Sequence, residues 1–326
     1  MLHTRFFNRP YTILVPQGIG DSVWAMVKIQ DLAKQLSLNN RVHILISCTS
    51  LSTSLEMRSL EFISRFRFVI SAKMYQIPIL NYRNPATPEG YYNYIPDGKP
   101  TDSKIDYVMI PNAPLERGVR LEDWLPEYQC NWDIMDEWQI SPEELSVAQK
   151  IKDEHGDYIV FYMSGASGNS VDGHNRGPIW KPQDWIDLGQ LLHDQYGVKI
   201  VVIGAKYDKS YYDEEILPLL NDRNFWIDTI GKTTIGEVLS ISKYAQYIIS
   251  YQGGLAMVAN YMGVPAAIFW RPKGDSINPN TYLSFEEDMA TAWVSPKMLT
   301  NGAFLPLIYG RHDPKYIAKE VQKRGW

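Results

Sequence analysis

An aspartate follows two glycines in the turn Gly18-Ile19-Gly20-Asp21. The turn lies between an apolar run, Tyr11 to Pro16, and a segment with Val23, Met26, Val27, Ile29 and Leu32 at helical spacing. Glycines let a ligand approach the backbone closely, and an acid at a helix start can take a proton from a hydroxyl. The same acid can instead cap the helix, a contribution of about 1 kcal/mol. A second loop, Ser164 to Lys181, gathers Ser164, Gly165, Ser167, Gly168, Asn169, Ser170, Arg176 and Lys181. Small polar residues with cations suit an anion such as phosphate, and a solvated surface loop has the same composition. A third loop, Tyr251-Gln252-Gly253-Gly254, runs directly into a helical pattern at 255. Bare N–H groups at a helix N-terminus bind anions. A glycine pair also makes a tight turn for close helix–sheet packing.

Other chemistries lack their residues. A dinucleotide fingerprint starting at Gly18 needs a third glycine at position 23, which is Val23. Gly231-Lys232-Thr233 resembles the end of a phosphate-binding P-loop, but Trp226 stands where the first glycine belongs. No Asp-x-Asp pair occurs to clamp a divalent cation, and the six histidines show no metal-ligand spacing. The segment Ser164-Gly165-Ala166-Ser167-Gly168 is not a Gly-x-Ser-x-Gly nucleophile elbow. Cys48 and Cys130 are too few for a disulfide scaffold or a cysteine-based zinc site.

The elements that must position these loops form two βα series. The first has strands at 11–16, 42–47, 68–71 and 105–110; from Lys73 to Lys104 prolines and tyrosines dissolve the pattern into a long loop. The second has strands at 158–163, 198–203, 247–250 and 265–270, with helices at 185–196, 208–220, 235–244 and 255–262, and a last helix at 314–323. Thr233 and Thr234 are good caps for the helix at 235. Strands alternating with helices of this length predict parallel sheets, where ligands bind outside the carboxyl ends of the strands. With 326 residues, 45% of them hydrophobic, and a net charge of -5, the chain is globular and long enough for about two domains. No run of about 18 residues is free of charges and helix breakers, and the first apolar run is too short for a secretory signal, so a cytoplasmic protein is expected.

The charge is unevenly spread. Residues 1–120 hold 14 Lys and Arg against 9 Asp and Glu, a balance of +5; the remainder holds 18 against 28, a balance of -10. Arg58, Arg65, Arg67, Lys73 and Arg83 carry the excess, either as solvated helix faces or as a surface for a polyanion.

In order, these pieces resemble glycosyltransferase family 9, the ADP-heptose:lipopolysaccharide heptosyltransferases. Val15 to Asp21 matches the family's strand and Gly-x-Gly-Asp turn. Met163 to Ser167, a basic residue (Arg176 or Lys181) and a tryptophan (Trp180 or Trp185) match the start of its C-terminal domain. Val201 to Ala205, with Gly204, matches a strand ending in glycine. Gly231 to Glu237, with Thr233, matches a Gly-x-Thr-x-x-x-Glu element, and Gln252 to Pro265 takes the place of an acid-led glycine turn, a helix and a Gly-x-Pro step. The resemblance covers roughly 155–270 and 11–36. Gln252 stands where the family has an acid, and Met257 where it has a histidine.

The resemblance implies a GT-B architecture: an α/β protein of two Rossmann-like domains with parallel sheets facing across a cleft. An acceptor domain would span 1–145, a nucleotide-sugar domain 146–310, and a helix at 311–326 would cross back onto the first domain. It implies a metal-independent transferase without a cofactor, displacing at the anomeric carbon with inversion. Asp21 would be the base. Ser164, Gly165, Arg176, Lys181, Gly204, Thr233, Glu237, Gln252, Gly253 and Gly254 would bind the donor, a nucleotide-diphosphate sugar. Gly18, Gly20, Arg58, Arg65 and Arg67 would bind the acceptor. That acceptor is expected to be a phosphorylated saccharide, such as a lipopolysaccharide core, or a nucleic acid with hydroxymethylated bases. A nucleotide-sugar epimerase, or a non-catalytic protein that binds nucleotide sugars, is the alternative class.

Overall fold

Alternation of short β-branched runs with amphipathic stretches gives two parallel sheets, one on either side of Gln139, after which the chain divides into two compact units. The computed structural model describes residues 10–16, 18–48, 54–76, 104–111, 119–163, 180–251, 253–270, 295–296, 298, 302–308 and 312–324.

In the first unit, β1 (Tyr11–Val15), β2 (Val42–Cys48), β3 (Val69–Gln76) and β4 (Tyr107–Val108) lie in the order β3-β2-β1-β4, all parallel. Ile13, Leu14 and Val15 are fully buried, as strands covered on both faces require. Helix α1 (Ile19–Leu36) follows β1, and α2 (Ser54–Ser64) follows β2. A segment without regular strands, 119–133, is tied along α1 by polar contacts. Asn131 N–H donates to the Val27 carbonyl (2.8 Å), and Gln129 N–H to Asp31 Oδ2 (2.9 Å). Lys28, itself buried, drives its ammonium into the carbonyls of Glu122, Leu125 and Tyr128 at 3.2, 3.0 and 2.9 Å. Three acceptors match the three donors of an ammonium, although burial still lowers the pKa of Lys28 below its ordinary value.

The second unit opens with α3 (Pro142–His155), a helix not expected from the sequence. Its start is a capping box: Ser141 Oγ accepts from Glu144 N–H (3.2 Å) and Glu144 Oε2 from Ser141 N–H (2.9 Å). The two compact units divide between Gln139 and Ile140. Strands β5 (Tyr158–Tyr162), β6 (Lys199–Val202), β7 (Trp226–Asp228), β8 (Tyr247–Tyr251), β9 (Ala266–Trp270) and β10 (Phe304–Ile308) form a parallel sheet in the order β10-β9-β8-β5-β6-β7. β7 and β10 were not expected. Helices α4 (Pro182–Tyr196), α5 (Ile235–Tyr244), α6 (Gly254–Tyr261) and α7 (Pro314–Gln322) complete the unit. Gly197 ends α4 at φ 68, a left-handed stop that favours glycine.

The stretch read as helical over 208–220 is helical from 206 to 219, as successive short 3-10, α and π turns; Pro218 has no N–H to continue a regular helix. One expectation is corrected. The terminal helix, expected to return to the first domain, belongs to the second unit. Ile317, Ala318 and Val321 on α7 enter that unit's core beside α4, and Trp180 Nε1 donates to the His312 carbonyl (2.9 Å). That core is aromatic: Trp185 packs against Phe161, Trp180, Tyr251 and Phe269 with ring centres 5.3–5.8 Å apart. Among the described residues no helix is long and apolar enough to cross a membrane.

Burial raises the pKa of several tyrosines: Tyr212 to about 12, and Tyr107, Tyr158 and Tyr247 further still. Unfolded, these phenols ionise near pH 10, so above that pH the folded state holds protons that the unfolded state releases, and stability falls as pH rises. Lys28 has the opposite sign, but its contribution is complete by its unfolded pKa of 10.5. Thermal unfolding should move to markedly lower temperature between about pH 10 and 12, with phenolate absorbance appearing together with loss of helical signal. A phenolate signal that rises well before unfolding would contradict the burial of these side chains.

Candidate functional site

Each sheet reverses its direction of growth at a central strand. In the first unit the chain runs from β1 outward to β2 and β3, then adds β4 on the other side of β1. In the second it runs from β5 to β6 and β7, then restarts with β8 on the other side of β5. At such a reversal the connections leave in opposite directions, and a crevice opens at the carboxyl ends of the two neighbouring strands. The loops after β1, β5 and β8 are the three that carry the chemically suggestive residues.

Hydrogen bonds tie the start of α1 to the end of β1. Gly18, the residue capping α1, makes no side-chain cap, and its carbonyl accepts from Ser22 N–H (2.8 Å). Ser22 is fully buried, and its hydroxyl bonds the carbonyls of Pro16 and Gly18. Asp21 is therefore not the cap; it occupies the third helical position, where the positive end of the helix favours an anion. Its carboxylate folds back over Gly18: a Cβ added there would lie 2.7 Å from Asp21 Oδ2. Glycine at 18 thus makes room for the carboxylate. Gly20 is buried at the second helical position. Ser22 escaped the sequence reading, since no periodicity marks a buried hydroxyl that locks a turn.

In the second unit the turn after β8 brings Gly253, in extended backbone, to the cap of α6, and Gly254 to its first turn; no side chain caps the helix. The Gly253 carbonyl accepts from Met257 N–H (3.0 Å), while the earlier N–H groups of the first turn have no intrahelical acceptor. Below the turn, the buried Ser250 hydroxyl bonds the Tyr251 carbonyl (2.6 Å), and Tyr251 packs on Trp185. Gln252, Ser164, Gly165 and Arg176 lie outside the described residues.

The remaining donor candidates divide between exposure and structural duty. Lys181 is exposed at the start of α4, its N–H bonded to Asp184 Oδ2 (2.8 Å). Gly204 ends β6 in a tight corner: its carbonyl accepts from Gly231 N–H (3.0 Å), and a Cβ would meet Asp208 Oδ2 at 3.1 Å. Gly231 has φ 67 and packs on Lys206. Thr233 Oγ1 lies 3.4 Å from the Thr229 carbonyl. Thr234 caps α5 in a second capping box, in which Glu237 Oε2 accepts from Thr234 N–H (2.7 Å). One oxygen of Glu237 is thereby spent on the helix start.

Of the acceptor candidates, Arg65 is committed within its own unit: it pairs with Glu61 at 2.7 Å and stacks over the Trp138 ring at 5.2 Å. Arg67 is exposed after α2, and Arg58 on α2 is partly buried. The aromatic stretch Tyr91 to Tyr94 lies outside the described residues.

No family model matches the chain, and no curated protein matches it. Solved structures do. E. coli ADP-heptose LPS heptosyltransferase II is 13% identical, with 97% of this chain and 98% of that one covered at a TM-score of 0.57. A glycosyl transferase family 9 protein from Veillonella parvula DSM 2008 is 10% identical, with 97% of each chain covered at 0.58. E. coli heptosyltransferase WaaC, solved with ADP, is 13% identical, with 96% of this chain and 97% of that one covered at 0.53. At these identities the likeness shows a shared fold: the chain has the two-unit parallel α/β fold of these glycosyltransferases along nearly its whole length.

Replacing Gly254 by valine puts a branched side chain in the mouth of the α6 N-terminus. The folded variant should bind nucleoside diphosphates at least about tenfold more weakly by calorimetry. Unchanged affinity would place the phosphates elsewhere.

Proposed function

We propose that this protein is a metal-independent, inverting glycosyltransferase that moves a sugar from a nucleotide-diphosphate donor to a hydroxyl of an anionic acceptor. The observation that carries the reading is the placement, in both units of a heptosyltransferase-like fold, of a glycine turn at the sheet reversal: one beside a carboxylate, the other at a bare helix start. ADP accompanies one of the similar structures and ADP-heptose is named for another, which makes a nucleoside diphosphate the first donor class to try.

In this reading Asp21 takes the proton of the acceptor hydroxyl while that oxygen attacks the anomeric carbon from the face opposite the leaving group. The bond from that carbon to the diphosphate oxygen breaks, and the configuration inverts. Charge develops on the departing diphosphate, and fixed N–H donors at the start of α6 stabilise it. Lys181, at the start of α4, and Thr233, just before α5, supply a cation and a hydroxyl, with Arg176 and Ser164 as further candidates from the loop after β5. Gln252 and Glu237 bind the sugar or the ribose. The positive first 120 residues favour a polyanion as acceptor, a phosphorylated saccharide before hydroxymethylated DNA.

Asp21→Asn should fold and lose about 10²-fold or more in turnover, as removal of a general base does. Gly18→Ala tests the same carboxylate from the other side. Its methyl group displaces Asp21 while leaving stability within about 1 kcal/mol, so it should also lose turnover. Near wild-type rates in both variants would remove Asp21 from the chemistry. Turnover of the wild type should persist in excess chelator.

The acceptor class is read from salt. For a phosphorylated saccharide or DNA, KM for acceptor should rise steeply with ionic strength, for duplex DNA with a log–log binding slope of about -0.9 per phosphate neutralised. A flat response, with unchanged kinetics in an Arg58→Gln, Arg67→Gln variant, would leave a neutral acceptor. Transfer of labelled sugar to truncated lipopolysaccharide or to hydroxymethylated DNA separates the two polyanions.

A further inference from the structure

Gly236 is an odd residue for the first turn of a helix, because glycine costs helix stability relative to alanine. The space explains it. A Cβ on Gly236 would overlap the carboxyl group of Glu144, its carbon and both oxygens. That carboxylate comes from the first turn of α3, directly after the division between the units at Gln139. It is nearly buried, at 9% exposure. One oxygen accepts from Ser141 N–H at 2.9 Å, and the other lies 3.5 Å from the hydroxyl of Thr234, the cap of α5. Thr234 in turn holds Glu237 in the second capping box. The two helix starts are thus joined through one buried carboxylate, placed where the positive ends of both helices favour an anion.

We propose that Glu144 is a positioning residue for the proposed donor loop: seated against Gly236, it holds the 231–237 segment, with Thr233 and Glu237, in the form that receives the nucleotide. The inference rests on the glycosyltransferase reading for its ligand, while the contact can be tested without any ligand. Glu144 would act through α5, without itself touching the substrate.

The contact is tested by thermal unfolding of Glu144→Ala, Gly236→Ala and the double variant. Removing the carboxylate makes room for the new methyl, so Gly236→Ala should lower Tm less in the Glu144→Ala background than in the wild type; additive effects would overturn the proposal. Positioning is tested by titrating wild type and folded variants with ADP, UDP, GDP and CDP. Glu144→Ala and Gly236→Ala should each raise Kd for the nucleotide bound by wild type about tenfold, as small displacements of binding groups do. Glu144→Gln, whose amide oxygen can still accept from Ser141 N–H, should stay within about threefold. In turnover assays the loss should fall on donor KM more than on kcat. A Glu144→Ala protein that is less stable but binds as the wild type does would make Glu144 merely structural and overturn the inference, with the proposed function intact. Wild type that binds none of the four nucleotides would overturn the proposed function, and this inference with it.

Discussion

The reversal of strand order at β1 in one unit and at β5 in the other is the constraint on which the account depends. Parallel strands need crossover connections, and connections leaving a central strand for opposite edges cannot both close over its end. A gap at the carboxyl ends of β1 and β4, and another at β5 and β8, follow from topology before any side chain is considered. What the sequence adds is the lining. Glycines at 18, 20, 253 and 254 add no side chain to either turn, and the buried hydroxyls beside them, Ser22 and Ser250, bond backbone carbonyls.

The polar groups proposed for the chemistry also have structural duties. Asp21 sits at the positive end of α1 and over Gly18, a placement that holds an anionic carboxylate in one position. Glu237 uses one oxygen to start α5. Capping is compatible with function where one carboxylate oxygen remains for a ligand. Arg65 shows the contrary case: its guanidinium is taken up by Glu61 and the Trp138 face, so a charge that the sequence counts toward an acceptor surface serves packing.

The legible parts of the fold were those written in local pattern. β5 and β9 are uninterrupted apolar runs, β1, β2, β6 and β8 are apolar apart from Thr12, His43, Ser47, Lys199 and Ser250, and their order predicts parallel sheets. β10 was hidden by Pro306, which argues against a strand; the structure puts it at the sheet edge, where a missing N–H is tolerated. β7 has only three residues, and α3 is polar on most faces, so neither has a strong period. Ser141-Pro142-Glu143-Glu144 was nevertheless a readable start signal. At the site, the Gly-x-Gly-Asp turn and the Gly-Gly helix start were readable as types. The seating of Glu144 on Gly236, 92 positions apart, and the Trp138 cover on Arg65 depend on tertiary packing that no local window contains.

In the proposed glycosyltransferase a nucleoside diphosphate rests on the second unit at the start of α6. Amide hydrogen exchange, followed residue by residue with and without ADP, UDP, GDP and CDP, tests it most directly. The account predicts that one of these nucleotides slows exchange at Gly253 to Ala256, with further protection in the 231–237 loop and little change at 18–22. Protection confined to the first unit, or none with any of the four, would contradict it.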